Sequence, residues 1–245
     1  MVLDDFIAAP RDAVLQAFPR PDWPTWRRFS DDYQRNKCAC GDISLIPQLL
    51  RDMLTELNGP EFLSYLERVT GIRGLIPDPY LAGGGLHSSG PGGVLAPHAD
   101  FHQYGRLALF RRINVLVYLN PEWDAADGGM LELYERGTKH AAVEILPLYG
   151  RMVMFLTDDR SIHGFSRPVA AGRWRNSLAL YYYTAEPPPR YSGDSDTHWQ
   201  AHGSHGAIGT ARLFAYKALM RVAHLLSRAA HAANPNFRST IASRG

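Results

Sequence analysis

The sequence predicts a mainly β protein with flanking helices, in the α+β class, whose core is a sandwich or a jelly roll. From about residue 75, short runs rich in β-branched, aromatic and leucine residues recur at regular spacing, with turn residues between them. On either side of this region, apolar residues recur at helical spacing. The chain has 245 residues, of which 45% are hydrophobic, so it can bury a sizeable core.

Residues 1–75 are predicted to be mostly helical and to support the strands that follow. Apolar residues lie at helical spacing within Asp12–Phe18 and, more strongly, within Ile46–Leu57. Pro60 is expected to open a further helix that ends before Gly71. Because these helices are too few to form a core alone, we expect them to pack on the β region.

Residues 76–186 are predicted to form the jelly-roll core. The expected strands are Ile113–Leu119, Met130–Tyr134, Ala141–Leu146, Arg151–Leu156 and Asn176–Thr184. Turn residues such as Asn120-Pro121 and Asp127-Gly128-Gly129 separate them, and the glycine-rich stretches 83–85 and 90–93 are interpreted as turns.

The last part of the chain is predicted to be a loop, 187–209, followed by a helix, 210–232, and the whole of 1–245 is expected to be one domain. The helix is basic along one side. Three hypotheses remain open for it: packing against its own domain, a contact between two copies, and a position on a membrane surface.

Composition excludes several classes of protein. The formal net charge of +2 does not favour a nucleic-acid binder, and no apolar run approaches the roughly 18 residues of a membrane span. Five charged residues in the first twenty are incompatible with the apolar core of a signal peptide. The two cysteines, Cys38 and Cys40, are poorly placed to pair with each other. We therefore expect a soluble cytoplasmic protein, and the sequence makes no prediction of oligomeric state.

Two separated motifs suggest a metal site. His98 and Asp100 form a His-x-Asp pair, and His163 follows 63 residues after Asp100. On a strand, alternate residues point to the same side, so His98 and Asp100 can both face one metal ion. Two imidazoles and one carboxylate are the facial triad of non-haem Fe(II) oxygenases. The alternative is an aspartate in a turn, a surface histidine and an unrelated core histidine.

Arg175 begins the last expected strand, twelve residues after His163. Alternation puts Arg175 and Ser177 on one face, where the guanidinium can pair with a dicarboxylate whose other end chelates iron. Arg173 has the same parity and competes for this role. The alternative for Arg175 is a solvated arginine at the rim of the sheet.

The central motifs, in their order, resemble the prolyl-4-hydroxylase-like branch of the 2-oxoglutarate/Fe(II) dioxygenases. The chain presents His98-x-Asp100, then Tyr118-Leu119-Asn120, Gly128-Gly129, His163 and Arg175-x-Ser177. The resemblance runs from about Pro77 to Thr184. Each motif alone is weak, and their order carries the resemblance.

The resemblance implies a double-stranded β-helix with helices outside it, and a hydroxylase that uses Fe(II), 2-oxoglutarate and O2, with ascorbate as a possible support. It implies that His98, Asp100 and His163 hold the iron. Arg175 would bind the distal carboxylate of 2-oxoglutarate, Tyr118 would contact the same group, and Ser177 and Asn114 are weaker candidates in that pocket.

Because Asp100 is intact, the resemblance implies hydroxylation rather than halogenation, with succinate and CO2 as coproducts. The expected substrate is a small molecule or a peptide. A prolyl residue in a peptide or protein is one candidate, and a free amino acid, a sugar or a natural-product intermediate is another. Two further classes stay open: a non-catalytic barrel that binds a metal or a small acid, and a zinc hydrolase of jelly-roll fold.

Other residues receive weaker interpretations. His102, Tyr104 and His87 are candidate substrate contacts, each with an equally good structural explanation. Arg106, Arg111 and Arg112 form a basic cluster that either meets an acidic substrate or lies in solvent at a sheet edge. A possible second metal motif, formed by His198, His202 and His205, falls in the predicted loop, where its glycines disfavour a helix.

Overall fold

A computed structural model describes residues 1–135, 138, 140–158, 161–188, 198–199 and 207–233. Its backbone divides into two compact units, Met1–Gln200 and Ala201–Gly245. The expectation of a single domain over 1–245 stays a prediction.

The first unit is built on one large sheet of short and long strands. Among the described residues the strands are β1 (Val2–Leu3), β2 (Arg27–Phe29), β3 (Gln34–Cys40), β4 (Ile76–Pro77), β5 (Gly85–Ala99), β6 (Gln103–Tyr104), β7 (Leu109–Tyr118), β8 (Leu131–Tyr134), β9 (Ala141–Ile145), β10 (Met152–Leu156), β11 (Ile162–Phe165), β12 (Arg175–Thr184) and β13 (His198–Trp199). The main path runs β1-β10-β7-β12-β5-β11-β8-β9, with antiparallel pairing throughout. This curled, antiparallel arrangement is the predicted mainly β jelly roll.

Three helices cover the outer face of the sheet, as predicted. They are α1 (Arg11–Ala17), α2 (Gln48–Leu57) and α3 (Pro60–Thr70). Pro60 occupies the first turn of α3, and Gly71 ends it with a positive φ of 73°, a conformation that glycine adopts without strain. Fully buried leucines of α2 and α3 pack in one cluster with apolar residues of β7 and β12.

The prediction that residues 1–75 are mostly helical was wrong, because α1, α2 and α3 hold less than half of these residues and β2 and β3 form a hairpin there. β3 carries buried cysteines, Cys38 and Cys40, on its outer side, but its inner side carries Lys37 and Ala39. This mixture lacks the alternation of large apolar and polar residues that identifies a strand. The hairpin extends the sheet by pairing β3 along β5.

The sequence suggested that the glycine-rich stretch 90–93 is a turn between strands. In the structure it lies within the single long strand β5. Arg35 of β3 pairs with Val94 and Lys37 with Ser89, so the intervening β5 residues bulge out of the ladder. The first half of β5 pairs with β12 and its second half with β11. The bulge therefore lets one strand serve both halves of the jelly roll.

The second unit contains one described helix, α4 (Ala207–Ala233), slightly longer than the predicted 210–232. Several of its apolar side chains, among them Phe214, Leu219 and Leu226, are exposed. Within the described residues, no helix combines the length and hydropathy needed to cross a membrane. The predicted loop 187–209 falls largely outside the described residues, except that it contains β13.

Candidate functional site

A cavity of about 540 Å³ opens on the inner face of the sheet. Residues that pair across neighbouring strands point to the same face, so the register defines the cavity wall. One cross-strand row is Phe29, Lys37, Ser89 and Arg175, and the next is Arg27, Ala39, His87, Ser177 and Tyr118. Most of these side chains line the cavity. The sheet thus collects residues far apart in the chain around one space.

His98, Asp100 and His163 meet at one end of this cavity. His98 lies at the end of β5 and pairs directly with His163 of β11. Their ring centroids are 4.4 Å apart, and one ligand atom from each of the three residues lies within 4.8 Å of the others. Two imidazole nitrogens and a carboxylate oxygen at this spacing suit a divalent first-row metal such as Fe(II).

Backbone carbonyls orient both histidines for metal binding. The Nδ1 atom of His98 lies 2.8 Å from the Ala96 carbonyl oxygen, and that of His163 lies 3.0 Å from the Ser161 carbonyl oxygen. Since a carbonyl only accepts, each Nδ1 donates and each Nε2 keeps its lone pair. Burial lowers the pKa of His163 to about 4, and the neighbouring His98 adds to the shift. His163 is therefore neutral at physiological pH, as a metal ligand requires.

Asp100 is held by a hydrogen bond and an ion pair at the same oxygen. The amide Nδ2 of Asn114 donates to Oδ2 at 2.6 Å, and Arg111 Nη1 lies 2.9 Å from it in an ion pair. Burial opposes ionisation, but the charge of Arg111 and the adjacent histidines outweigh burial and hold the pKa of Asp100 well below its usual value. The carboxylate is ionised, and Oδ1 faces His98 Nε2 at 3.5 Å.

Arg111 is a site residue, and the alternative of a solvated sheet edge was wrong for it. The residue is only 1% exposed, and its guanidinium lies between the rings of Phe101 and Tyr181, 3.8 and 3.7 Å from their centroids. Simple alternation along β7 puts Arg111 with the apolar outer residues. A bulge shifts the register between Ile113 and Arg111 and turns Arg111 to the cavity side.

Arg175 lies in the cavity wall, as predicted. It is 6% exposed, its Nε donates to the Gly129 carbonyl oxygen at 2.6 Å, and its Nη2 donates to the Tyr118 hydroxyl at 3.0 Å. The guanidinium also lies 4.4 Å from the ring centroid of Phe165. A buried, oriented arginine facing a cavity suits a carboxylate ligand. Ser177 lines the same wall.

Arg173 does not share this position. It precedes the first residue of β12, so strand parity does not apply to it. Its Nη2 donates to the carbonyl oxygens of Pro121 and Glu122 and to Asp127 Oδ2, and its guanidinium covers the Trp123 ring. These contacts fix the loop around Asp127, and Arg173 is absent from the described cavity lining.

The three candidate substrate contacts separate into two groups. His87 lines the cavity, with Nε2 3.0 Å from the Gly83 carbonyl oxygen. His102 and Tyr104 are not among the described lining residues, and of the two interpretations offered for them, substrate contact stays a prediction. The chain leaves β5 after Ala99 and turns into β6, which pairs back onto β7 and places the Tyr104 ring against Tyr183.

Lys37 and Arg27 are cavity residues that the sequence analysis missed. Both belong to the β2–β3 hairpin, and without the hairpin no pattern connects them to the metal motif. The side chains of His202 and His205 lie outside the described residues, as does that of His198 within β13, so the second metal motif stays a prediction.

Comparison with known proteins shows a family similarity over part of the chain. Residues 84–183 match the model of the 2OG-Fe(II) oxygenase superfamily. The prolyl 3,4-dihydroxylase OGFOD1 of Ostreococcus tauri is 30% identical over 150 residues, which are 58% of this chain and 27% of that protein. The aligned stretches span less than a third of the curated relatives that the chain matches.

Solved structures establish the fold. A Pseudomonas putida prolyl-4-hydroxylase aligns with a TM-score of 0.52 and 18% identity over 75% of this chain and 91% of that one. A prolyl hydroxylase from Trichoplax adhaerens, in complex with a peptide fragment of a hypoxia inducible factor oxygen degradation domain, aligns with a TM-score of 0.53 and 20% identity over 75% and 82%. The family match includes all of β5, β7 and β11 and nearly all of β12, the strands that carry His98, His163 and Arg175, and over these residues the chain is similar to the 2OG-Fe(II) oxygenase superfamily.

Proposed function

We propose that this protein is an Fe(II)- and 2-oxoglutarate-dependent dioxygenase that hydroxylates a prolyl residue in a peptide or protein, with succinate and CO2 as coproducts. One observation carries the proposal: the cluster of His98, Asp100 and His163 shares a single cavity with the buried Arg175. The metal bound by the triad would bind the keto-acid end of 2-oxoglutarate, and the oriented arginine in the same cavity would bind its distal carboxylate.

The donor set fits the cofactors. His98, His163 and Asp100 would hold Fe(II) on one face through one ligand atom each, leaving adjacent positions for 2-oxoglutarate and O2. Arg175 would bind the distal carboxylate, with Tyr118 orienting its guanidinium. When bound, the iron and 2-oxoglutarate supply the oxidising power that attacks an unactivated C–H bond.

The residues of the chain supply positioning and a dry site. Asn114 and Arg111 engage Asp100 Oδ2, so the carboxylate has one orientation. The Phe155 ring contacts His163 in a tilted arrangement, with ring centroids 4.8 Å apart, and Leu116, Leu131 and Phe165 line the same cavity. This apolar wall excludes water from the reacting centre, which protects a strong oxidant from side reactions.

The prolyl substrate is supported by the relatives. The similar OGFOD1 protein is named a prolyl 3,4-dihydroxylase, and the Trichoplax protein was solved with a peptide. The remaining hypotheses are weaker, because a zinc hydrolase has no use for the Arg175 site and a non-catalytic barrel has no need of the complete triad. A cytoplasmic location and the absence of nucleic-acid partners stay predictions from composition.

The first test needs no substrate. Fe(II) and then 2-oxoglutarate are added to the protein without oxygen, and the visible charge-transfer band of the iron–2-oxoglutarate chelate is recorded for wild type, Arg175→Ala and Arg173→Ala. We expect the band in wild type, a much weaker band in Arg175→Ala at the same 2-oxoglutarate concentration, and an unchanged band in Arg173→Ala.

The comparison of the two arginines makes the test specific. They are two residues apart and both positively charged, but only Arg175 lines the cavity. Absence of the band from folded, iron-loaded wild type would refute the dioxygenase proposal. Once the band is present, prolyl peptides are screened by succinate release, and acids and sugars are screened in parallel.

A further inference from the structure

The β2–β3 hairpin adds positive charge to the cavity. Lys37 lies in the same cross-strand row as Arg175, two strands away, and thus about 10 Å from it along the sheet. Arg27 is in the adjacent row, and both side chains line the cavity. The aromatic ring of Phe29 lies between them, 4.9 Å from the Arg27 guanidinium and 5.7 Å from Lys37 Nζ.

Neither cation has an anionic partner in the described part of the chain. Two acidic side chains of neighbouring segments are engaged locally. Asp42, at the cavity wall, accepts hydrogen bonds from the backbone and hydroxyl of Ser44, and Asp31 accepts from the backbone of Tyr33 and Gln34. Burial lowers the pKa of Lys37 to about 8, with Asp100 and Arg175 acting in opposite directions, so the amine is largely charged at neutral pH.

Loading the site does not use these charges. Asp100 and the chelating carboxylate of 2-oxoglutarate would balance the charge of Fe(II), with Arg111 still paired with Asp100, and the distal carboxylate would balance Arg175. No anion of the loaded site is then left to match Lys37 and Arg27, which line the cavity. A half-buried, unpaired ammonium costs free energy unless an anion approaches it.

We propose that Lys37 and Arg27 form an anion subsite that selects prolyl substrates carrying a carboxylate near the reacting proline. This inference rests on the proposed function and names the class of its substrate. The carboxylate has two possible sources with the same chemistry: an acidic side chain beside the proline, or the free carboxyl terminus of the peptide.

The test uses matched probe pairs that differ in one charge. N-acetyl-Pro-Glu amide is compared with N-acetyl-Pro-Gln amide, and N-acetyl-Gly-Pro acid with N-acetyl-Gly-Pro amide. Each probe is titrated into the protein loaded with Fe(II) and 2-oxoglutarate without oxygen, and its dissociation constant is measured by calorimetry. We expect the acid of at least one pair to bind at least about tenfold more tightly than its neutral partner, because a charge-assisted hydrogen bond contributes that much. The pair that shows the preference identifies the source.

The chain offers a close control for Arg27. Arg28 is the next residue of β2 and pairs with Cys38, so it points to the opposite face, where its Nη2 donates to the Pro21 carbonyl oxygen. Lys37→Met and Arg27→Met should remove most of the preference for the acid, Lys37→Arg should retain it, and Arg28→Met should leave it unchanged despite the same loss of charge.

Three outcomes would overturn the inference. Equal binding of acid and neutral probes in both pairs, or binding of no probe, would exclude the anion subsite. Loss of the iron–2-oxoglutarate band in Lys37→Met would show that Lys37 binds 2-oxoglutarate and not the substrate. Absence of that band in wild type is a different result, because it refutes the proposed dioxygenase itself.

Discussion

At the scale of single residues, the two oxygens of Asp100 have different partners. Oδ2 accepts from Asn114 Nδ2 at 2.6 Å and pairs with Arg111, whereas Oδ1 is directed towards His98 Nε2. Thr157 donates to Asn114 Oδ1 at 3.1 Å, which fixes the amide with its nitrogen towards Asp100. This chain of contacts orients the proposed iron ligand before any metal binds.

Removal of the Asn114 amide should therefore weaken iron binding. Partners behind a ligand typically contribute a factor of about 10–100 to metal affinity, and we expect Asn114→Ala to raise the dissociation constant of Fe(II) by that order. The measurement is an anaerobic Fe(II) titration. Ser177→Ala is the control, because Ser177 lines the cavity without a hydrogen bond to Asp100. Equal iron affinities of Asn114→Ala and wild type would contradict the role of Asn114.

His87 makes the stability of the iron-free protein depend on pH. Burial, together with the charge of Lys37, lowers the pKa of His87 from 6.5 to about 3. The unfolded chain therefore takes up the proton first, and stability is lost as the pH falls below about 6.5. Between about pH 7.5 and about pH 5, this one group accounts for a loss of up to about 2 kcal/mol.

A variant isolates this contribution. Urea unfolding of wild type and His87→Gln is measured at both pH values, and the loss of unfolding free energy on acidification should be smaller in the variant by about 2 kcal/mol. Other titrating groups contribute to both proteins and cancel in the comparison. If wild type and variant lost the same free energy, the histidine would be protonated alike in the folded and unfolded states.

At the scale of elements, short runs rich in β-branched, aromatic and leucine residues between turn residues predicted β7 and β12. β7 and β12 bury Ile113, Val115 and Leu178 against the helices, and the sequence located both strands to within a few residues. The β2–β3 hairpin was missed because its inner face is a polar cavity wall. A strand that serves a binding site carries the residues of the site, and these obscure its periodicity.

Site residues in sequence motifs were predicted, whereas those whose position depends on strand pairing were missed. His98, Asp100, His163 and Arg175 occur in ordered motifs, so their sequence spacing located them and the structure brings them to one cavity. Arg111 was missed because strand parity fails at the β7 bulge. Lys37 was missed because its position depends on a long-range pairing of β3 with β5, which a single sequence does not reveal.

The pairing of β3 with β5 requires a glycine at position 85. Gly85 has a φ of +90°, and a Cβ atom there would lie 2.2 Å from the Cys40 carbonyl oxygen. Gly172 also has a positive φ, of 76°, but no atom lies within 4 Å of its Cβ position. The two glycines therefore share the backbone conformation and differ in the available space.

This pair makes a sharp test of the close approach. Gly172→Ala should cost about 1 kcal/mol of unfolding free energy through backbone strain alone, and Gly85→Ala should cost at least about 2 kcal/mol more because the strands must separate. The costs are measured by urea unfolding. Gly85→Ala should also reduce the acid preference of the anion subsite, since Lys37 moves with β3. If both substitutions lowered the free energy of unfolding by the same amount, β3 and β5 would separate at Gly85 without a measurable loss of stability.

At the scale of the whole molecule, the proposed cofactor site joins distant parts of the first unit. Its ligands come from the segments that end β5 and form β11, and Arg175 begins β12, which pairs with both β5 and β7. Ligands that bind only the folded chain stabilise it by mass action. Iron and 2-oxoglutarate should therefore stabilise the sheet in two separable steps, one through the cluster and one through Arg175.

Thermal unfolding without oxygen separates these steps. With 2-oxoglutarate about 100-fold above its dissociation constant, binding adds about 2.7 kcal/mol, which for a chain of this size raises Tm by about 5–10 °C above that of the iron-loaded protein. Arg175→Ala should keep the rise caused by iron and lose the further rise caused by 2-oxoglutarate, whereas Arg173→Ala should keep both. If 2-oxoglutarate raised the Tm of Arg175→Ala as much as that of wild type, its distal carboxylate would bind elsewhere in the cavity. Lys37 would then be the next cation to test.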